Sequence, residues 1–203
     1  FVHRDNPIER LSLPQLAAIF GAGRAEEKRS IRHWGELGLG GEWKEAPINP
    51  HAWKTDVDFA LFFRERVLAG DHRWNNQTRE YVHQHRADGS QYDHGQKIVD
   101  ALAADRHGIA ISNTRYANAG VKLVPLSWTD EGPAQLPNEA SLISQAYPLT
   151  RLIPAIVNKP PDGALEPAVA EILSREGQQI LATHSGYLPL SAEAAMRQRK
   201  KLE

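Results

Sequence analysis

Leu13, Leu16, Ala17 and Phe20 recur at i, i+3, i+4 and i+7, the stripe that one face of an α-helix makes. Ser12 stands before them as an N-cap, and Gly21 follows as a stop. Phe59, Phe62, Phe63 and Val67 make a second stripe, which predicts a helix from about Thr55 to Ala69. Thr55 is its expected cap, Asp58 sits three residues on in the capping-box position, and Gly70 is the stop. A third helix starts near Asp93, with Ile98, Val99 and Leu102 inward, and breaks at Gly108 into a short strand, Ile109 to Ser112. Val121 to Leu126 and Leu152 to Val157 read as two more strands, Pro154 giving the last an edge or crossing character. Helices over 167–173 and 175–182 precede an apolar corner, Gly186-Tyr187-Leu188-Pro189-Leu190. Helices alternating with strands predict an α/β fold.

Composition narrows the classes. Apolar residues are 41% of the chain and charged residues 24%, the profile of a folded protein. No apolar run approaches the roughly 20 residues that span a bilayer, so membrane insertion is not expected. Lys and Arg total 24 against 25 Asp and Glu, a net charge of -1, which gives no basic field for nucleic acid. Cysteine is absent, which excludes disulfides, a thiol nucleophile and Cys-ligated metals. The chain opens at Phe1 without an initiator Met or a charged-then-apolar leader, and an upstream segment is expected.

Candidate chemistry is sparse. The run Gly38-Leu39-Gly40-Gly41 lacks a following Gly-Lys-Ser/Thr and reads as a turn, not a phosphate loop. Nine histidines include His83, His85, His94 and His107, with Asp88, Asp93 and Asp105 nearby, yet none has the HExxH or a comparable ligand spacing. No metal and no cofactor is therefore expected. No G-x-S-x-G turn presents a serine, and no enzyme is predicted. The most suggestive stretch is Asn49-Pro50-His51-Ala52-Trp53-Lys54-Thr55, leading into the second helix. Backbone N–H groups at a helix start, a hydroxyl, and the basic Lys54 and His51 are the ingredients of an oxyanion site. A plain N-cap with Trp53 packed and Lys54 in water explains the same residues.

Several segments together resemble one family, the phosphate-binding component of phosphate ABC transporters and its relatives among type II periplasmic binding proteins. Asp5-Asn6-Pro7, Leu11-Ser12 and Ile19-Phe20-Gly21 are similar to its "DNP…LS…IF.G" segment, and Ile31-Arg32-His33-Trp34-Gly35-Glu36-Leu37-Gly38 to its "I.NW.DLG". Gly108-Ile109-Ala110-Ile111-Ser112 resembles "GAIGY", Tyr147-Pro148-Leu149-Thr150-Arg151 "YPLSR", and Val157-Asn158-Lys159 "VNK". Leu173-Ser174-Arg175-Glu176-Gly177-Gln178 resembles "LSPEGQ", and 186–190 "GYLPL".

The resemblance implies an extracytoplasmic solute-binding protein, with two lobes closing on a phosphate-like oxyanion held by helix N-termini and delivered to an ABC permease. It also implies two departures. Where the family reads R-x-x-x-S-G-T at the helix start, counting back from Thr55 places Asn49 at the Arg, Trp53 at the Ser and Lys54 at the Gly. The anion site expected from Asn49, His51, Trp53, Lys54 and Thr55 is therefore degenerate, because a bidentate, always-charged partner is gone. The family's N-terminal segment also has no counterpart here. The expected organisation is one nearly complete lobe over 8–148, with 1–7 and 149–203 forming part of the other. The incomplete lobe is expected to be covered by a partner chain or a second copy. The competing reading is a divergent domain of this kind kept for protein interaction or scaffolding.

Overall fold

A computed structural model describes residues 1–23, 30–156, 163, 165–185 and 187–202. Val157-Asn158-Lys159 and Gly186 of the motifs above lie outside them. The described chain divides into two units, Phe1–Pro137 with Tyr147–Leu149, and Asn138–Ala146 with Thr150–Glu203.

In the first unit β1 (Val2–His3), β2 (Leu11–Ser12), α1 (Leu13–Phe20), β3 (Asn49–Trp53), α2 (Asp58–Val67) and β4 (Arg79–Tyr81) follow in order. The hairpin strands β5 (Gln84–His85) and β6 (Gln91–Tyr92) come next, then α3 (His94–Ala103), β7 (Gly108–Ala110), β8 (Val121–Lys122) and β9 (Leu126–Ser127). A five-stranded mixed sheet has the order β4-β3-β7-β1-β8. Its β4, β3 and β7 run parallel, while β1 is antiparallel to both β7 and β8. Successive residues of the central strands point to opposite faces: Ala52 and Ile109 enter one core with Phe20, Trp34 and Phe63, whereas Trp53 and Ala110 enter another with Ile98, Val99 and Leu102 of α3. That alternation is what a sheet covered on both faces requires.

Ser12 caps α1 as its sequence predicts. Its Oγ accepts the Gln15 N–H at 3.1 Å, and Gln15 Oε1 accepts the Ser12 N–H at 2.9 Å. The far end of α1 is held by Arg32, whose guanidinium donates to the carbonyls of Ala18, Ile19 and Gly21 at 3.0–3.2 Å. Trp34 is fully buried and donates through Nε1 to the His107 carbonyl at 3.0 Å. These contacts account for the "I.NW.DLG"-like segment as a clamp between α1 and the sheet.

Three expectations change. Thr55 does not cap α2: the N-cap is Val57, without a side-chain hydrogen bond, and the helix starts at Asp58. The reason is that Asn49–Trp53 is a central strand paired on both sides, so the chain must turn over 54–57 before a helix can begin. Val57 N–H closes that turn on the Lys54 carbonyl at 3.1 Å. The strand expected over Val121–Leu126 is divided into β8 and β9 around Pro125, which has no N–H for a ladder. β9 instead pairs in parallel with β2. Residues 152–156 form no strand, and Ile156 is 85% exposed.

Residues 1–7 pack in the first unit because Val2 pairs with both Ile109 and Lys122. The second unit is helical, with α4 (Glu139–Ile143), α5 (Leu165–Ile172), α6 (Arg175–Ser185) and α7 (Ala192–Arg199). α5 and α6 approach closely at Gly177, where a Cβ would lie 2.0 Å from the Glu171 carbonyl oxygen. None of the helices among the described residues is long and apolar enough to cross a membrane.

Candidate functional site

In an open α/β sheet, ligands bind at the carboxyl ends of the parallel strands, where helix N-termini point outward. Here that edge is formed by Trp53 of β3, Tyr81 of β4 and the residues after β7, with the starts of α2 and α3 above it. Trp53 and Tyr81 are register partners, which sets the two strand ends level, and the Lys54 N–H bonds the Tyr81 carbonyl at 3.3 Å. The start of α3 is fixed to the same edge. Its cap Asp93 accepts the Gly95 N–H at 2.7 Å, Ser112 Oγ donates to the Gly95 carbonyl at 2.8 Å, and the His94 ring packs edge-on to Trp53.

The five residues expected at an anion site separate into two groups. Asn49, at the amino end of β3, and His51, at its centre, are committed to Asp105, which follows α3. Asn49 Nδ2 donates to both carboxylate oxygens at 3.0 Å, and His51 Nε2 lies 3.2 Å from Oδ2. A carboxylate only accepts, so Nε2 carries the proton and Nδ1 accepts from the Tyr81 hydroxyl at 2.8 Å. Burial holds the His51 imidazole below its ordinary value, with Asp105 opposing. Burial pushes the Asp105 carboxyl up, but the bonds from Asn49 and His51 outweigh it and leave it low.

Trp53, Lys54 and Thr55 belong to the carboxyl edge. Trp53 is buried and stacks on Phe59, with ring centroids 5.0 Å apart. Lys54 is exposed and pairs with Asp56 at 2.6 Å, and the hydrogen bond it donates to the Asp56 carboxylate raises its ammonium above the usual value. Thr55 is half-buried beside the start of α2.

The structure also assembles residues that spacing alone did not bring together. His83, Asp93 and His94 each offer a ligand atom within 4.8 Å of the others. The His83 and His94 rings stack with centroids 3.8 Å apart, and the His94 N–H bonds His83 Nδ1 at 3.3 Å. Burial, and His83 beside it, hold the His94 imidazole below its ordinary value against the pull of Asp93. Burial raises Asp93, but hydrogen bonds from Tyr116 and the Gly95 N–H, with both imidazoles, carry it below the usual carboxyl value. The signal for this cluster lay in the β5–β6 hairpin: with Gln84 opposite Tyr92, the residues flanking the pair are His83 and Asp93.

No protein-family model matches the chain. The phosphate-binding protein PstS of two Pseudomonas aeruginosa strains is 33% identical over 208 residues, covering 100% of this chain and 60% of its own length. Among solved structures, PstS of Borrelia burgdorferi superposes with a TM-score of 0.65 at 14% identity, over 94% of this chain and 67% of that one. An ABC-type phosphate transport receptor of Vibrio cholerae gives 0.66 at 12% identity, over 92% and 66%. The chain is thus homologous to the PstS phosphate-binding proteins along its whole length and has their mixed α/β fold, while spanning about three-fifths of the length of the curated relatives.

Proposed function

We propose that this chain, a homologue of the PstS phosphate-binding proteins, binds a phosphate-like oxyanion at the carboxyl edge of its parallel strands and acts by binding, not by catalysis. The observation that carries this reading is the start of α2. Its N-cap Val57 supplies no side-chain acceptor, so the positive end of the helix is not satisfied by its own cap, and Lys54 and Thr55 stand with Asp56 in the turn that leads into it. Asn49 and His51 serve the site indirectly by fixing β3, and Trp53 walls it. The site is degenerate: no arginine stands in the stretch 49–55, and the Asp56 carboxylate competes for Lys54. Losing two bonds to a charged ligand, at roughly 1.5–3 kcal/mol each, weakens binding by about two to four orders of magnitude.

Homology to the PstS proteins supports the setting of this reading, an extracytoplasmic protein working with an ABC permease. Ile156, Ile172 and Ile180 are exposed on the second unit. That apolar surface supports a covering partner, either polypeptide that completes the lobe or another copy of the chain.

Titration calorimetry with inorganic phosphate, on the untagged chain and with EDTA present, tests the reading. Binding at about 1 mM or weaker, abolished by Lys54→Ala, is expected. Micromolar binding, or binding indifferent to Lys54→Ala, overturns the assignment of the residues.

A further inference from the structure

We propose that His83, Asp93 and His94 form a binding site for one divalent transition-metal ion of the zinc type. Two imidazoles and one carboxylate are a borderline donor set, suited to zinc and its neighbours and unsuited to calcium or magnesium, which take oxygen ligands.

The fold builds this set from two elements. The β5–β6 pairing, Gln84 opposite Tyr92 and His85 opposite Gln91, folds the chain back so that His83 meets Asp93. His83 Nδ1 lies 3.7 Å from Asp93 Oδ2. His94, next in the chain, is the first residue of α3 and is fixed in place, 9% exposed with its ring against Trp53. Donors about 2.0–2.2 Å from a tetrahedral zinc lie roughly 3.3 Å from one another. Closing from the present separations needs rotation of His83, whose side chain is 40% exposed, toward the fixed Asp93 and His94.

An outer layer of contacts orients the donors, as metal sites require. The Tyr116 hydroxyl and the Gly95 N–H both bond Asp93, which leaves its other lone pairs for a cation. Tyr116 is itself held tightly against the helix start, where a Cβ on Gly95 would meet its Cε2 at 2.3 Å. Three protein donors leave a fourth position open. Because the cluster occupies the same strand edge as the proposed anion site, an anion oxygen is a suitable fourth ligand. That last step rests on the oxyanion reading, whereas metal binding itself does not.

The test is zinc titration of the untagged full chain against a chromophoric chelator, without phosphate. One equivalent is expected to bind. His83→Ala and Asp93→Asn should each weaken binding by more than about tenfold, since even outer contacts at such sites are worth about 10–100-fold. Asn is as good an N-cap as Asp, so Asp93→Asn keeps α3 capped and separates ligation from folding. Circular dichroism of that variant without metal should match the parent. His184→Ala, an exposed histidine on α6, should leave binding unchanged. Absence of zinc binding, or binding that survives either His83→Ala or Asp93→Asn, overturns the site. Neither result bears on phosphate binding measured in EDTA.

Discussion

His51 and Asp105 stand 54 residues apart in the chain and meet with Nε2 3.2 Å from Oδ2, tying the centre of β3 to the turn that leads from α3 into β7. The His51 side chain has no solvent exposure, and that of Asp105 has 15%. Arg79 of β4 reaches the same carboxylate oxygen at 3.2 Å, so one acid joins three consecutive parallel elements of the sheet.

This pairing gives stability a pH dependence of defined sign. Burial keeps the folded imidazole below its ordinary 6.5. As pH falls from about 6.5 toward the folded value, the unfolded chain takes up a proton that the folded one resists. The unfolded state then binds more protons, and stability drops with falling pH. Urea unfolding between pH 7.5 and 5.5 should show this loss, and His51→Gln should flatten it. His94, also held low by burial, keeps a residual slope in the variant. An unchanged slope in His51→Gln would place the proton elsewhere.

The two helix starts provide a contrast. Ser12→Ala removes a reciprocal capping box and should cost about 0.5–2 kcal/mol in urea unfolding. Thr55→Ala should cost less than about 0.5 kcal/mol, because the N-cap of α2 is Val57. A larger loss at Thr55 than at Ser12 would contradict the observed start of α2.

That contrast also separates what was legible in the sequence from what was not. Ser12 with Gln15, and Thr55 with Asp58, present the same local signal, an N-cap residue followed three positions later by a polar reciprocator. Only the first is used, because 49–53 is paired between β4 and β7, partners that no local window contains. The stripe of α3 was readable because Ile98, Val99 and Leu102 face one core in sequence order. The family resemblance was readable because short segments such as 5–12 and 31–38 keep their order, and the fold they imply is the one found. The His83, Asp93, His94 cluster was not readable, since its members share no ligand spacing and are joined by hairpin register. The tie to Asp105 was likewise hidden: that both Asn49 and His51 reach it depends on the sheet, which places them beneath the turn after α3.

The backbone crosses Lys44 closely at Gly35. Trp34 N–H bonds the Ala46 carbonyl at 3.0 Å, closing the loop that carries two buried tryptophans, Trp34 and Trp43. Inside that closure a Cβ on Gly35 would lie 2.2 Å from the Lys44 carbonyl oxygen and 2.9 Å from its carbon. Both atoms are backbone, so no side-chain rotation relieves the clash, and the loop itself must move. Gly35→Ala should therefore destabilise by about 1–3 kcal/mol, the usual cost of overpacking. Gly40, five residues on, has φ of -103°, and a Cβ there would meet nothing within 4 Å. Gly40→Ala should be neutral, or stabilising by about 0.4–1 kcal/mol through the unfolded chain's lost freedom. Urea unfolding of the two variants side by side, followed by tryptophan fluorescence, decides it. Equal effects at the two glycines would mean that the loop does not cross Lys44 as described.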